Sequence, residues 1–157
     1  MTRILFICHG NICRSPMAEF VLKAIAAEHG LADALYIASA ATSAEELGNP
    51  VHPGARKKLR EHGIGCSGKT ARRVTRDDYD NFDLLIGMDE PNIRDTVRIM
   101  GGDPDGKIHL LLEYCGSRCG IADPWYTGNF DATWDDIREG CSALFDYLYN
   151  TEKKADR

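Results

Sequence analysis

Ile4-Leu5-Phe6-Ile7-Cys8-His9-Gly10-Asn11-Ile12-Cys13-Arg14-Ser15-Pro16 opens the chain almost at its first residue. A short apolar run ends in a cysteine, a tight loop ends in an arginine, and a proline follows two residues later. Ser15 before Pro16 reads as an N-cap with proline at the first helical position. Strand, loop and helix in that order begin a unit whose next strand lies parallel to the first.

The same alternation continues downstream. Arg3 to Cys8, Leu35 to Ala40, Asp83 to Met88 and Lys107 to Glu113 read as strands, while Pro16 to His29, Pro53 to His62, Glu90 to Met100 and Asp131 to Asn150 read as helices. Gly30 and Gly63 stand where glycines end helices. In the last segment Trp134, Ile137, Cys141, Leu144, Phe145 and Leu148 recur at helical spacing and form one buried face. The pattern predicts an α/β fold with a parallel sheet covered by helices on both faces. No linker or repeat divides residues 1–157, so one domain is expected, with 152–157 as a frayed tail. Ligands of such sheets sit at the carboxyl ends of strands, which directs attention to the loop after Cys8.

Composition narrows the classes. The 157 residues carry 19 Lys and Arg against 24 Asp and Glu, a formal net charge of −5, which argues against a surface that attracts nucleic acid and makes any anion site local. His9, Asn11 and Arg14 cut the first apolar run before it could serve as a signal segment or membrane span, so a cytoplasmic protein is expected. Six cysteines there are read as thiol chemistry, metal ligation or core before disulfides.

The loop supplies the chemistry. Gly10 and Asn11 tolerate positive φ, so the loop can curl with its N–H groups inward as an anion nest, and the helix start adds unpaired N–H groups and a positive dipole end. Arg14 offers a planar fork matching two oxygens of a phosphoryl group. The groups that bind a tetrahedral dianion also stabilise a thiolate, so Cys8 is expected as an ionised nucleophile, with the Ser15 hydroxyl easing departure of the sulfur in a second step.

Cys8 to Pro16 matches the pattern Cys-x-Gly-Asn-x-Cys-Arg-Ser-Pro throughout, and the chain from Ile4 to about Leu148 resembles the low-molecular-weight protein tyrosine phosphatases. The resemblance implies a flavodoxin-like fold with a four-stranded parallel sheet. It implies hydrolysis of phosphotyrosine in protein partners through a phosphocysteine on Cys8, without cofactor or metal, by a chain for which a monomer is the expected state. His9, Gly10, Asn11, Ile12, Cys13 and Ser15 would surround the phosphate beside Arg14. On residues alone, Asp123-Pro124-Trp125-Tyr126 is equally an Asp-Pro turn with surface aromatics. The resemblance makes Asp123 the general acid and base, with Trp125 and Tyr126 lining a slot for the aromatic ring. On spacing alone Cys13 could simply pack beneath the loop. In the family the matching thiol forms a reversible disulfide with the nucleophile, a guard against over-oxidation. Ser39 and the Met88-Asp89 pair also match and are expected to support the loop. Two positions depart from the family: Glu45 stands where an aromatic is common, and Lys69 where histidine is common. Those departures leave one pocket wall and one bracing contact open.

Competing signals are weaker. Residues 63–70 satisfy G-x4-G-K-[ST], yet the preceding residues 55–62 are charged and helical rather than a buried strand, and Leu84 to Asp89 is more simply a core strand than a second nucleotide motif. Cys115, Cys119 and His109 give one loose pair, short of a zinc site. Arsenate reductases share the first loop but need further redox cysteines, and residues 67–114 contain none. Protein-arginine phosphatases use the same cradle and typically carry Thr where this chain has Ile12. A phosphopeptide-binding module without turnover is the remaining alternative.

Overall fold

In the computed structural model, which describes residues 1–155 with side chains to Tyr149, four parallel strands form one sheet in the order β2-β1-β3-β4. The strands are β1 (Thr2–Cys8), β2 (Leu35–Ala41), β3 (Leu84–Gly87) and β4 (Ile108–Leu110). The helices are α1 (Arg14–Glu28), α2 (Pro53–Glu61), α3 (Asp77–Asn81), α4 (Glu90–Met100), α5 (Pro124–Thr127) and α6 (Phe130–Ala155), with 3-10 turns at Ala32–Ala34 and Leu111–Cys115.

The two-residue period of β1 divides the core. Ile4, Phe6 and Cys8 pack in one cluster with Met17, Leu22, Leu59 and Leu144 of α1, α2 and α6. Leu5 and Ile7 pack in another with Tyr79, Phe82, Leu85 and Ile108, supported by Ile93 and Val97 of α4. β1 is therefore buried on both faces, as its unbroken apolar run requires. Cys8 faces the α1 side.

The chain leaves β1 toward β2 and leaves β3 toward β4, in opposite directions along the sheet. The carboxyl ends of β1 and β3 thus flank the crevice at which α/β sheets bind ligands. Residues 71–74 run beside the end of β2, where Ala41 N donates to Arg72 O at 2.7 Å and Val74 N to Ala41 O at 2.8 Å. That segment covers the edge of β2 and brings Lys69 and Arg72 behind the first loop.

Several boundaries differ from the sequence reading. α1 begins at Arg14, so Ser15 is inside the helix and its hydroxyl is free for other partners; Cys13 is the N-cap and makes no side-chain cap bond. The expected strand from Lys107 to Glu113 ends at Leu110, because Glu113 Oε1 turns back to accept Leu110 N at 3.1 Å and the next five residues wind into a 3-10 turn. Leu111 of that turn fits against Gly140 of α6, where a side chain could not. The short helices α3 and α5 have no counterpart in the pattern; each is less than two turns long. The expected tail carries helical backbone to Ala155, and residues 156–157 lie outside the described residues. Gly30 and Gly63 adopt φ of 68° and 73°, as helix-ending glycines do. Among the described residues no helix is long and apolar enough to cross a membrane.

Candidate active site

The loop between β1 and α1 closes around the Cys8 sulfur. Asn11 N donates to Sγ at 3.3 Å, Ser15 N donates at 3.4 Å, and Ser15 Oγ stands 3.0 Å away. Backbone N–H groups directed at sulfur stabilise negative charge there. The N–H groups of Gly10, Ile12 and Cys13 have no protein acceptor among the described residues, leaving donors for a second anion above the sulfur.

Asn11 makes the curl possible. It has φ of 60°, the one non-glycine residue with positive φ among those described, whereas Gly10, equally expected there, is not in that region. Gly10 instead packs against Glu46, whose Cγ would lie 3.4 Å from an added Cβ. The Asn11 side chain is buried and pinned on both sides: Nδ2 donates to Ser15 Oγ at 2.8 Å and Ser39 Oγ at 2.9 Å, while Oδ1 accepts Arg72 N at 3.2 Å.

A buried charge lies behind this layer. Ser39 Oγ donates to Glu19 Oε1 at 2.6 Å, and Glu19 pairs with Lys23 Nζ at 2.6 Å and Lys69 Nζ at 3.6 Å. Lys69 Nζ also donates to Ser39 O at 2.9 Å. Lys69 thus supplies the bracing contact that its departure from the family pattern left open. Burial, aided by Arg72, lowers the Lys69 pKa, and Glu19 opposes the shift.

Arg14 is 2% exposed and held by Asp89 Oδ2 at 2.6 Å and by Ile121 O at 2.9 Å, with Asp123 Oδ2 3.4 Å from its other terminal nitrogen. Burial disfavours its charge, but Cys8, Asp89 and Asp123 together outweigh burial and raise its pKa. Asp89 caps α4 and follows β3, so Arg14 joins the ends of both central strands. Gly120 lies against Asp89, where an added Cβ would come within 2.9 Å of the Asp89 Cβ. Asp123 is extended as the following proline demands, caps α5, and accepts Trp125 N at 3.1 Å. Cys13 is buried beside these groups. Desolvation, then the neighbouring Cys8 and Asp123, push its thiol up to about 12.

A pocket of about 100 Å³ brings together Cys8, His9, Ile12, Arg14, Asp123 and Trp125, and Gly10, Cys13 and Tyr126 also line it. Asn11 and Ser15 are behind it rather than on its wall. Trp125 and Tyr126 are 58% and 82% exposed, so the aromatic slot is an open rim. Glu45 and Glu46 complete the mouth, and His9 Nε2 meets Glu45 Oε2 at 3.1 Å.

Model of the family described as low molecular weight phosphotyrosine protein phosphatase matches residues 3–155. The chain belongs to that family. It is 40% identical over 146 residues to the low molecular weight protein-tyrosine-phosphatase YfkJ of Bacillus subtilis, covering 92% of this chain and 94% of the relative. The crystal structure of YfkJ superposes with a TM-score of 0.93, at 38% identity over 96% of each chain. SP-PTP of Streptococcus pyogenes, a low molecular weight protein tyrosine phosphatase, gives 0.87 at 38% identity over 99% of this chain and 98% of its own. An arginine phosphatase of drosophila gives 0.86 at 28% identity over 95% and 98%.

Sequence reasoning missed Glu19, Glu46, His52 and the Ile121 carbonyl. Glu19 had a readable signal, an acid four residues after Ser15 on the face that α1 buries. His52, whose ring meets Trp125 edge-on at 5.7 Å and stacks on Phe130 at 5.3 Å, had none, because α5 and the 50–53 segment are far apart in sequence. The other competing signals resolve into ordinary structure. Residues 63–70 follow α2 rather than a strand and lead into no helix. His109 bonds Gly106 O and Glu113, while Cys115 is half-buried and Cys119 exposed.

Proposed function

We propose that the protein hydrolyses phosphotyrosine in protein substrates through a phosphocysteine on Cys8. The observation that carries this reading is the convergence of two N–H groups and a hydroxyl on the Cys8 sulfur, with Arg14 and Asp123 bordering the same pocket. The Cys8 thiolate attacks phosphorus in line, forming the S–P bond as the P–O bond to the tyrosyl oxygen breaks. Asp123 gives that oxygen its proton. Arg14 and the loop N–H groups hold the equatorial oxygens, where charge is concentrated in the transition state. Water then attacks phosphorus, Asp123 takes its proton, and the S–P bond breaks to return the thiolate, which accepts a hydrogen bond from Ser15. A nucleophilic thiolate requires reducing surroundings, which supports a cytoplasmic address.

Ile12 presents an apolar wall and Trp125 a ring at the pocket, a lining suited to a phenyl group. The carboxylates of Glu45 and Glu46 at the mouth support a second reading, a protein-arginine phosphatase, since they could accept hydrogen bonds from a phosphorylated guanidino group. Parallel kcat/KM measurements on phosphotyrosine and phosphoarginine peptides, with wild type, Cys8→Ser and Asp123→Asn, decide between them. Activity retained by Cys8→Ser overturns the mechanism, a preference for phosphoarginine overturns the tyrosine assignment, and hydrolysis of either eliminates a purely binding role.

A further inference from the structure

A second hollow, of about 620 Å³, lies between α2 and the glycine-rich loop 63–69. Arg56, Arg60 and Lys69 line it. Not one carboxylate does, although acids outnumber bases in the chain by 24 to 19. Arg56 and Arg60 stand one helical turn apart on the same face of α2, a spacing at which like charges repel. Arg56 reaches only a carbonyl, Val51 O at 3.0 Å, and Arg60 has no partner among the described residues. Lys58, between them in sequence but on another face, is paired with Glu61 and Asp131, so acids are available to α2 and are not placed against Arg56 or Arg60. The N–H groups of Gly65, Ser67 and Gly68 on the loop side also lack protein acceptors among the described residues. Pro50, Val51 and Ile64 provide an apolar wall.

We propose that this hollow is a regulatory site for a small anion carrying at least two oxyanion groups, carboxylate or phosphate, held by Arg56, Arg60 and Lys69. The two guanidinium forks each match one such group, and a bridging anion relieves their repulsion. The regulatory part follows from Lys69, which belongs to both the hollow and the brace behind the Cys8 loop. Its ammonium holds Ser39 O and Glu19, Ser39 holds Asn11, and Asn11 N donates to the Cys8 sulfur. An anion that draws the ammonium away loosens Asn11 and slows turnover without touching the substrate pocket.

The test follows backbone amides of isotope-labelled protein by NMR during titration with citrate and, separately, pyrophosphate, alongside the kinetics of an aryl phosphate. Saturable shifts at Gly63, Gly65 and Gly68 are expected with at least one anion, and the stronger of the two identifies carboxylate or phosphate chemistry. Arg60→Gln, which removes a guanidinium without a protein partner among the described residues, weakens that binding about tenfold and leaves uninhibited turnover unchanged. At saturation kcat falls with KM unchanged, and Arg60→Gln removes this inhibition. Shifts confined to residues 8–15, equal affinity in Arg60→Gln, or an unchanged kcat at saturation each overturn the proposal. The amide shifts do not depend on the phosphatase assignment, so failure of the site and failure of that assignment are read separately.

Discussion

Replacing Asn11 with Ala tests the reasoning about the loop most directly, because this one side chain joins its curl to its support. The substitution removes hydrogen bonds to Ser15 Oγ, Ser39 Oγ and from Arg72 N. Each contributes about 1 kcal/mol net, and more where a buried partner is left unsatisfied. Alanine at a φ of 60° adds about 1 kcal/mol of backbone cost that asparagine escapes by local hydrogen bonding. The total of about 3–5 kcal/mol is a large part of a domain's stability. At roughly 2–4 °C per kcal/mol for a chain of this size, Tm falls by about 6–20 °C. Urea unfolding gives the free energy, and kcat/KM below the transition is expected to drop on the order of 10- to 100-fold as the N–H groups lose their aim. Asn11→Gly separates the two contributions: it loses the same hydrogen bonds but relieves the positive φ, so it should be more stable than Asn11→Ala. A loss under about 1 kcal/mol in Asn11→Ala would refute the network. A glycine variant less stable than the alanine variant would refute the backbone argument, and an unchanged kcat/KM would refute the link to the site.

Asp123→Asn should lower kcat on a phosphotyrosine peptide by about 10²- to 10⁴-fold and abolish the alkaline limb of a wild-type kcat/KM profile that peaks on the acid side of neutrality. A wild-type profile flat to pH 8 counts against the acid assignment. Cys13, raised by burial from an ordinary 9.0 to about 12, stays protonated in the folded state while the unfolded chain ionises, so its contribution to stability is present below 9.0 and is lost as pH rises toward 12. Urea midpoints across that window should fall less steeply in Cys13→Ala than in wild type. Glu45→Lys should improve kcat/KM for peptides with acidic flanks by roughly three- to tenfold at low salt, an effect that added salt erases. Gly120→Ala pushes on Asp89, so it should raise KM through Arg14; an unaltered KM shows that Asp89 does not position the guanidinium.

The elements that bury a continuous face were legible in the sequence, and those formed by a single hydrogen bond or crossing were not. β1 and α4 carry long, consistent patterns, and α4 spans Glu90–Met100 as the periodicity predicts. β4 does not, because Leu111 and Leu112 continue the apolar run while the backbone turns, and only Glu113 reaching back to Leu110 marks the change. Ser15 shows a second limit. A serine before a proline reads as a cap, yet here the helix starts earlier and the hydroxyl meets the sulfur instead. Cys8 and Arg14 could be named because one local motif holds them, whereas the Asp-Pro turn at Asp123 was ambiguous on its residues and took its role from the family resemblance. Glu19 and Lys69 lie fifty residues apart in sequence and meet only after the 71–74 segment docks beside β2, which no periodicity records.

The charge arrangement around Arg14 explains how an acidic protein can favour a dianion at one place. Arg14 already faces Cys8, Asp89 and Asp123. On the proposed mechanism a phosphoryl dianion entering beside Cys8 adds two further negative charges, and one guanidinium cannot balance them all. The N–H groups of Gly10, Ile12 and Cys13 supply part of the difference, at no cost in reorganisation because the loop is already curled. A proton on Asp123 supplies another part, since it removes the charge nearest the outer nitrogen of Arg14 and frees that nitrogen for a phosphoryl oxygen. Asp89, which caps α4 and bonds Arg14 at 2.6 Å, keeps its place and fixes the direction of the fork. Under the proposed mechanism, phosphate binding and the acid that donates the proton therefore share Arg14.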